Sequence, residues 1–374
     1  MSEGRDPVTP SARPEKGSRR GAWPWILIPV VVVVGGVGAG CTSTTTSNTA
    51  ATGTAAAGSA IGCNVTTVAD DVLPSVVTIA VSGPAGAGTG SGEVIKSDGY
   101  ILTNNHVISP AASGGKVEVT FATGTTVPAT IVGRDILTDL AVLKVKPPFD
   151  LKAIGMGSSD SVKVGQPVVV LGAPLGLSGT VTSGIVSALD RTVEVPAEND
   201  SSALLVSAVQ TDAAINPGNS GGALVNCSGD LIGIPTAGAT VPSSTGESSS
   251  GGSIGLGFAI PVDLGKTIAN EIISTGRVTH AFFGVQTVPI PAATAAEAGI
   301  SEGLFVAGVV ANGPAETAGL RQGDIITKLD GNPATTNVQL QELTLTKSPG
   351  DKVTVDYERD GKASTATITL GTQP

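Results

Sequence analysis

The 374-residue sequence predicts a mainly β protein, with an all-β sandwich or barrel region followed by a smaller α+β module and preceded by a transmembrane or signal segment. Three observations carry that expectation. From Val72 to Pro261 the chain is a succession of short β-branched runs, among them V-V-T-I-A-V, V-E-V-T-F, A-T-I-V, P-V-V-V-L and T-V-E-V, divided by Gly, Pro, Asn and Asp turns. Many short strands without helical periodicity point to a sandwich or barrel, and the span is long enough for two six-stranded barrels sharing a cleft. Beyond residue 281, strand-like runs alternate with short helical ones. Near the N-terminus, Ala22 to Gly40 is free of charge. Aromatic residues make up only 3% of the chain, so the core must be built from Val, Ile, Leu and Ala in close packing.

Residues 1–20 are polar, with Arg5, Arg13, Lys16, Arg19 and Arg20 against three acids, and the apolar segment occupies 21–40. At 1.5 Å rise per residue the uncharged run nearly spans a bilayer, and the positive flank places the N-terminus in the cytoplasm. The domains that follow then face outward. V-G-A-G-C, ending at Cys41, fits a relaxed lipobox without the usual Leu or Val three residues before the cysteine. Two readings stand: a permanent signal anchor, or a cleaved signal with Cys41 lipidated. Either way, 41–63 is a Thr/Ser/Ala-rich tether too poor in apolar residues to bury a core.

The next region, 64–262, carries the chemistry. Asn216 to Gly222 reads N-P-G-N-S-G-G, which puts Ser220 on a tight turn. Glycine at 218 permits backbone conformations closed to other residues, so the amides of Gly218 and Ser220, helped by Asn219, can converge into an oxyanion hole. The chain has two histidines, and His106 lies in T-N-N-H-V-I directly after the strand-like run Y-I-L-T. Asp139 interrupts the apolar run L-T-D-L-A-V-L-K-V. A carboxylate buried there needs a partner, and an imidazole N–H is a suitable one. The order His106, Asp139, Ser220 fits a serine peptidase. In that reading Ser220 attacks a carbonyl, His106 moves the proton, and Asp139 fixes the imidazole tautomer.

The segments G-T-G-S-G-E-V-I (Gly88 to Ile95), T-N-N-H-V, D-L-A-V-L-K-V, S-G-I-V-S-A-L, T-D-A-A-I-N-P-G-N-S-G-G (Thr211 to Gly222) and G-L-G-F-A-I-P occur in the order found in the HtrA (Deg) serine proteases, and the chain closely resembles that family over residues 70 to 370. The resemblance implies a chymotrypsin-like double β-barrel protease domain followed by an α+β PDZ domain. It also implies action on unfolded or damaged proteins outside the cytoplasm, usually as a homotrimer. In such folds the residue six before the nucleophile lies at the base of the primary pocket. Here that residue is Ala214, beside Ile215, with a wall from Ile254, Gly255 and Leu256, so the expected preference is for small or medium apolar residues before the scissile bond.

Residues 263–280 read as a linker helix, with Leu264, Ile268, Ile272 and Ile273 at helical spacing and a closing Gly276. His280 ends it and is expected to be solvated. In 281–374, strands are expected at F-F-G-V-Q, L-F-V-A-G-V, D-I-I-T-K-L-D-G, K-V-T-V-D-Y and T-A-T-I-T-L, and short helices at Ala315 to Leu320 and Val338 to Leu345. The run from Gly313 to Gly331 resembles a PDZ domain. By position, Phe282, Phe283, Gly284 and Val285 match that family's carboxylate-binding loop, whose amides would take a peptide C-terminus while the peptide adds a strand to the sheet edge. As an alternative, either Phe could simply be core.

Cys63 and Cys227 are left either as a disulfide or as two free thiols. Two separated histidines and three scattered cysteines predict no metal site, and no cofactor is expected. The glycine run Gly83 to Gly92 lacks phosphate-binding spacing, and Ser113 with Lys116 matches S-x-x-K without the companion motifs. A net charge of -10 argues against nucleic acid. The rival to a protease is a membrane-tethered peptide-binding chaperone with a resting or inactive catalytic domain.

Overall fold

The computed structural model describes residues 63–173, 179–196, 202–238 and 253–373. The apolar segment, the tether and Cys41 lie outside them. Among the described residues no helix is long and apolar enough to cross a membrane.

A short helix, α1 (Val65–Val72), is capped by the Asn64 side chain on Thr67 N. Six strands then close a barrel: β1 (Val76–Gly83), β2 (Gly86–Lys96), β3 (Tyr100–Asn104), β4 (Lys116–Thr120), β5 (Thr126–Asp135) and β6 (Leu140–Val145). They are hydrogen-bonded in the order β1-β2-β3-β6-β5-β4. A single helical turn, α2 (Asn105–Ile108), follows β3. The second barrel is built from β7 (Pro167–Gly172), β8 (Thr180–Pro196), β9 (Ser202–Thr211), β10 (Ala223–Val225), β11 (Leu231–Gly238) and β12 (Gly257–Pro261), in the order β10-β11-β12-β9-β8-β7. Both interiors are mainly aliphatic, as the scarcity of aromatics requires, with Phe121 as the aromatic member of the first. Ile79, Val94, Ile101, Val119 and Leu143 fill the first, while Val168, Val170, Val186, Val209 and Leu224 fill the second.

Helix α3 (Val262–Thr275) ends on Gly276 in the left-handed conformation. Its Ile268, Ala269 and Ile272 are buried with Leu102, Leu140 and Val142 of the first barrel and Ile234 and Ile260 of the second. This helix therefore fastens the two barrels to each other, and each of its two buried isoleucines contributes about 1.5–3 kcal/mol on burial. Cys63 and Cys227 form a disulfide, with Cα atoms 5.1 Å apart, that pins the start of α1 to the β10–β11 turn.

The C-terminal module holds β13 (Ala281–Phe282), β14 (Val285–Ile290), α4 (Ala292–Ala298), β15 (Gly303–Val309), α5 (Pro314–Thr317), β16 (Ile325–Leu329), β17 (Asn332–Pro333), α6 (Asn337–Thr346), β18 (Lys352–Arg359), β19 (Lys362–Thr369) and β20 (Gly371–Thr372). Its main sheet runs β14-β15-β16-β18-β19, which leaves β14 as an edge strand. Both expected helices are present. Sequence reasoning missed α4, an alanine-rich turn between Pro291 and Gly299, because it has no apolar stripe to mark it.

Candidate active site

Strand β3 carries the chain to Asn104, and the one-turn helix α2 then presents His106. Asp139 sits in the turn from β5 to β6 with φ of 56°, a left-handed conformation that Asp tolerates better than most residues. That backbone is held from outside. Its carbonyl accepts from Asn105 N (3.0 Å) and from Asn104 Nδ2 (2.9 Å). Its carboxylate accepts from the His106 backbone N at Oδ1 (2.9 Å) and meets His106 Nδ1 at Oδ2 (2.8 Å). An ionised carboxylate can only accept, so Nδ1 carries a proton, and in the neutral ring the lone pair is then on Nε2. The carboxylate side chain is 5% exposed and the imidazole 39%, which suits an orienting acid behind a base that faces the cleft.

The Ser220 turn is joined to this pair through Thr236. Asn104 Nδ2 donates to Thr236 Oγ1 (2.5 Å), and Ser220 Oγ donates to the Thr236 carbonyl (3.1 Å). Among the described residues no hydrogen bond joins Ser220 to His106. Gly218 has φ of 100° and Gly221 has φ of 76°. At Gly221 a Cβ would also run into Thr103 Oγ1 and the Ser91 carbonyl, so that position requires glycine twice over. Among the described residues nothing in the chain accepts from the amides of Gly218 and Ser220. The Asn219 amide, in contrast, donates to Asn216 O (3.0 Å), and its side chain reaches Ala214 O (3.3 Å). Asn219 thus departs from the expected oxyanion role. It is buried and braces the turn from behind.

Around the expected pocket, Ala214 is half-buried and its carbonyl accepts from Thr182 Oγ1 (2.9 Å) and Asn219. Ile254 and Leu256 are exposed, and Gly255 has φ of 79°. Their segment is tied to the nucleophile turn by Ser253 N donating to Asn216 Oδ1 (3.0 Å). Ile215 departs from expectation. It is 3% exposed, belongs to the second barrel's core and packs on Gly257, where a Cβ would lie 2.6 Å from its Cδ1.

In the C-terminal module Phe283 is buried in the core, so the core alternative is the observed one for its ring, while Phe282 is half-buried on β13. The Phe283 carbonyl accepts from Ala315 N (3.1 Å) and the Gly284 carbonyl from Val310 N (3.0 Å). Among the described residues the Phe283 and Gly284 amides have no acceptor, and Val285 opens the edge strand β14. Helix α6 lies against that edge, with Asn337 Nδ2 donating to Thr287 O (3.4 Å).

His280 is not solvated. Its Nε2 meets Asp135 Oδ1 at 2.9 Å, and the two side chains are 10% and 7% exposed. Asp135 also takes Thr138 Oγ1 on Oδ2, so this pair organises the turn that leads to Asp139. The partners are 145 residues apart, which explains why local sequence carried no sign of the contact. Ser91 was equally unmarked, although it touches the nucleophile turn directly. Among the described residues no cluster of His, Cys, Asp and Glu could hold a metal ion.

The trypsin-like peptidase domain family matches residues 90–234, and the PDZ domain family matches residues 281–370. Serine protease PepD of Mycobacterium tuberculosis is 43% identical over 311 residues, covering 81% of this chain and 65% of that protein. Periplasmic pH-dependent serine endoprotease DegQ of Escherichia coli is 37% identical over 81% of this chain and 69% of its own length. The chain belongs to the HtrA family of serine proteases. Periplasmic serine endoprotease DegP of Escherichia coli, 40% identical, matches 75% of this chain but only 56% of DegP, so the chain spans little more than half of that HtrA relative. Among solved structures, the HtrA-type protease AlgW with decapeptide superposes with a TM-score of 0.66 at 32% identity, over 83% of this chain and 99% of that one.

Proposed function

We propose that this HtrA-family chain is a serine endopeptidase that cleaves unfolded or damaged envelope proteins through an acyl-enzyme on Ser220. The observation that carries the reading is the two-point grip of Asp139 on His106, at the backbone N (2.9 Å) and at Nδ1 (2.8 Å), beside a turn whose Gly218 and Ser220 amides have no acceptor among the described residues. His106 Nε2 takes the Ser220 proton as Oγ attacks and gives it to the leaving amine. Asp139 stabilises the imidazolium, and the two amides stabilise the oxyanion. Ala214 at the pocket base, with Ile254 and Leu256 beside it, supports cleavage after small or medium apolar residues. Among described residues at the expected pocket positions, none is an acid that would draw Lys or Arg.

The PDZ domain regulates this activity by taking peptide C-termini at Phe282 to Val285, with the bound strand extending β14. The domains lie outside the cytoplasm, held at the membrane by 21–40 or by lipidated Cys41, and the working unit is a homotrimer. Relatives named periplasmic endoproteases support the compartment.

A second reading, a peptide-binding chaperone whose catalytic centre rests, is favoured by one observation: Ser220 Oγ donates to Thr236 O. Attack needs that hydroxyl to rotate to the imidazole, and a substrate or a PDZ ligand can shift this equilibrium. Casein hydrolysis beside Ser220→Ala separates the readings. The protease reading expects cleavage by the wild type alone, with cuts after Ala, Val and similar residues. Equal, background rates with and without a C-terminal peptide would favour the chaperone.

A further inference from the structure

The glycine-rich run Gly88 to Glu93 leads from half-exposed residues into the interior. Ser91, on β2, is fully buried. Side chains alternate along a strand, so Ser91 and Glu93 share the face of β2 turned away from the first barrel's own core residue Val94. The Ser91 hydroxyl donates to Gly218 O (2.6 Å) and accepts from Ala173 N (2.8 Å). Its backbone N donates to Ser220 O (2.9 Å), and its carbonyl accepts from Thr103 Oγ1 (2.6 Å), one turn before His106. One residue of the first barrel therefore holds both carbonyls that flank the proposed oxyanion amide of Ser220.

We infer that Ser91 is a positioning residue for the oxyanion hole, an inference that rests on the protease reading above. The peptide unit from Gly218 to Asn219 is fixed at its oxygen by Ser91 and at its nitrogen by Asn216 O (3.0 Å). The unit from Ser220 to Gly221 is fixed at its oxygen by Ser91 N and at its nitrogen by Pro235 O (2.8 Å). The unit between them, which carries the Ser220 amide, has its oxygen on Gly222 N (3.0 Å). With three consecutive units held, the Ser220 N–H keeps its direction before substrate arrives. Preorganisation of this kind is what makes a donor effective in the transition state and not merely in the bound ground state.

Removing the hydroxyl leaves Gly218 O and Ala173 N unpaired in the interior, and the turn can then relax. Ser91→Ala is therefore expected to lower kcat on an apolar peptide substrate about 10- to 100-fold. KM should move less than threefold, and the pH at which kcat/KM falls off through His106 should not move. Affinity for a peptide boronate should fall in step with kcat, while affinity for the product peptide stays as it was. Ser91→Cys, which keeps the shape with a weaker donor, should lie between. Parallel changes in KM and product affinity, or an unchanged kcat, would overturn the inference. Should both variants fail to fold, amide hydrogen exchange on the full wild-type chain decides. The Asn219, Gly221 and Gly222 amides are expected to exchange as slowly as the strands of the barrels, and fast exchange there overturns the clamp. If the wild type hydrolyses nothing, the protease reading fails, and the exchange experiment still reports on the clamp alone.

Discussion

Replacing Asp139 by Asn tests the geometry of the proposed triad with one atom changed. Oδ1 accepts from the His106 backbone N–H at 2.9 Å and Oδ2 faces Nδ1 at 2.8 Å. An asparagine has one oxygen and one NH2 for these two positions. The backbone N–H cannot stop being a donor, whereas the imidazole can move its proton. The oxygen therefore stays on the backbone N–H, and the NH2 turns to Nδ1. Nδ1 must then accept, which moves the ring proton to Nε2 and removes the lone pair that would take the Ser220 proton. The substitution leaves shape and burial almost unchanged, so the fold should survive. A wrong tautomer of this kind costs a triad about 10⁴ in kcat, equivalent to about 5.4 kcal/mol of transition-state stabilisation. Steady-state hydrolysis of a chromogenic peptide with an apolar residue before the cut, read against Ser220→Ala as background, provides the assay. A loss of less than tenfold in a folded variant would refute the assignment of Asp139 as the residue that fixes the tautomer.

Three further outcomes follow from groups outside the triad. Cys227→Ser opens a loop with a sequence separation of 164 residues, for which the chain-entropy account gives an upper value of about 5 kcal/mol; urea unfolding should show the loss, and a midpoint equal to that of the oxidised wild type would count against the bridge. Burial holds the Glu93 carboxyl well above the usual carboxylate range. The native state thus keeps a proton that the unfolded chain releases near pH 4.3. Stability from this group is complete below that pH and declines by about 1.4 kcal/mol per pH unit above it until the raised pKa is reached. Glu93→Gln should accordingly gain stability relative to wild type at pH 8 compared with pH 4, and a pH-independent difference in thermal melting would contradict this. His280→Ala should cost about 1–3 kcal/mol by leaving the buried Asp135 carboxylate short of a partner; adding Asp135→Asn should cost little more, and fully additive losses would mean the two do not act together.

The triad was legible because its chemistry is scarce. With only two histidines in the chain, and with Asp139 interrupting the apolar run L-T-D-L-A-V-L-K-V, each candidate is marked by its own neighbours. The all-β character of the domain is legible for a similar local reason, in β-branched runs between glycine and proline turns, but those runs fit a sandwich as well as a barrel, and it is the family resemblance that implies the double barrel. Contacts between distant segments left no such mark. His280 looked solvated because its partner, Asp135, lies on another element, and Ser91 looked like one more small residue in a glycine run. Ile215 was assigned to a pocket by its nearness to Ala214. One position along an extended segment reverses the direction of a side chain, and Gly257 leaves room in the core that Ile215 fills. The Asn219 amide is spent within the turn, on Asn216 O, and which N–H groups a turn uses on its own carbonyls depends on φ values that sequence does not display.

The central claim is that Ser220 is the nucleophile and His106 its base. Reaction of the full chain with a fluorophosphonate, followed by peptide mass spectrometry, tests it most directly. The expected result is one adduct, on Ser220, formed at least a hundredfold faster in the wild type than in His106→Ala, on the order of 10²–10⁴ for a positioned base. Labelling at another serine, or at Ser220 with the same rate when His106 is gone, would contradict the account.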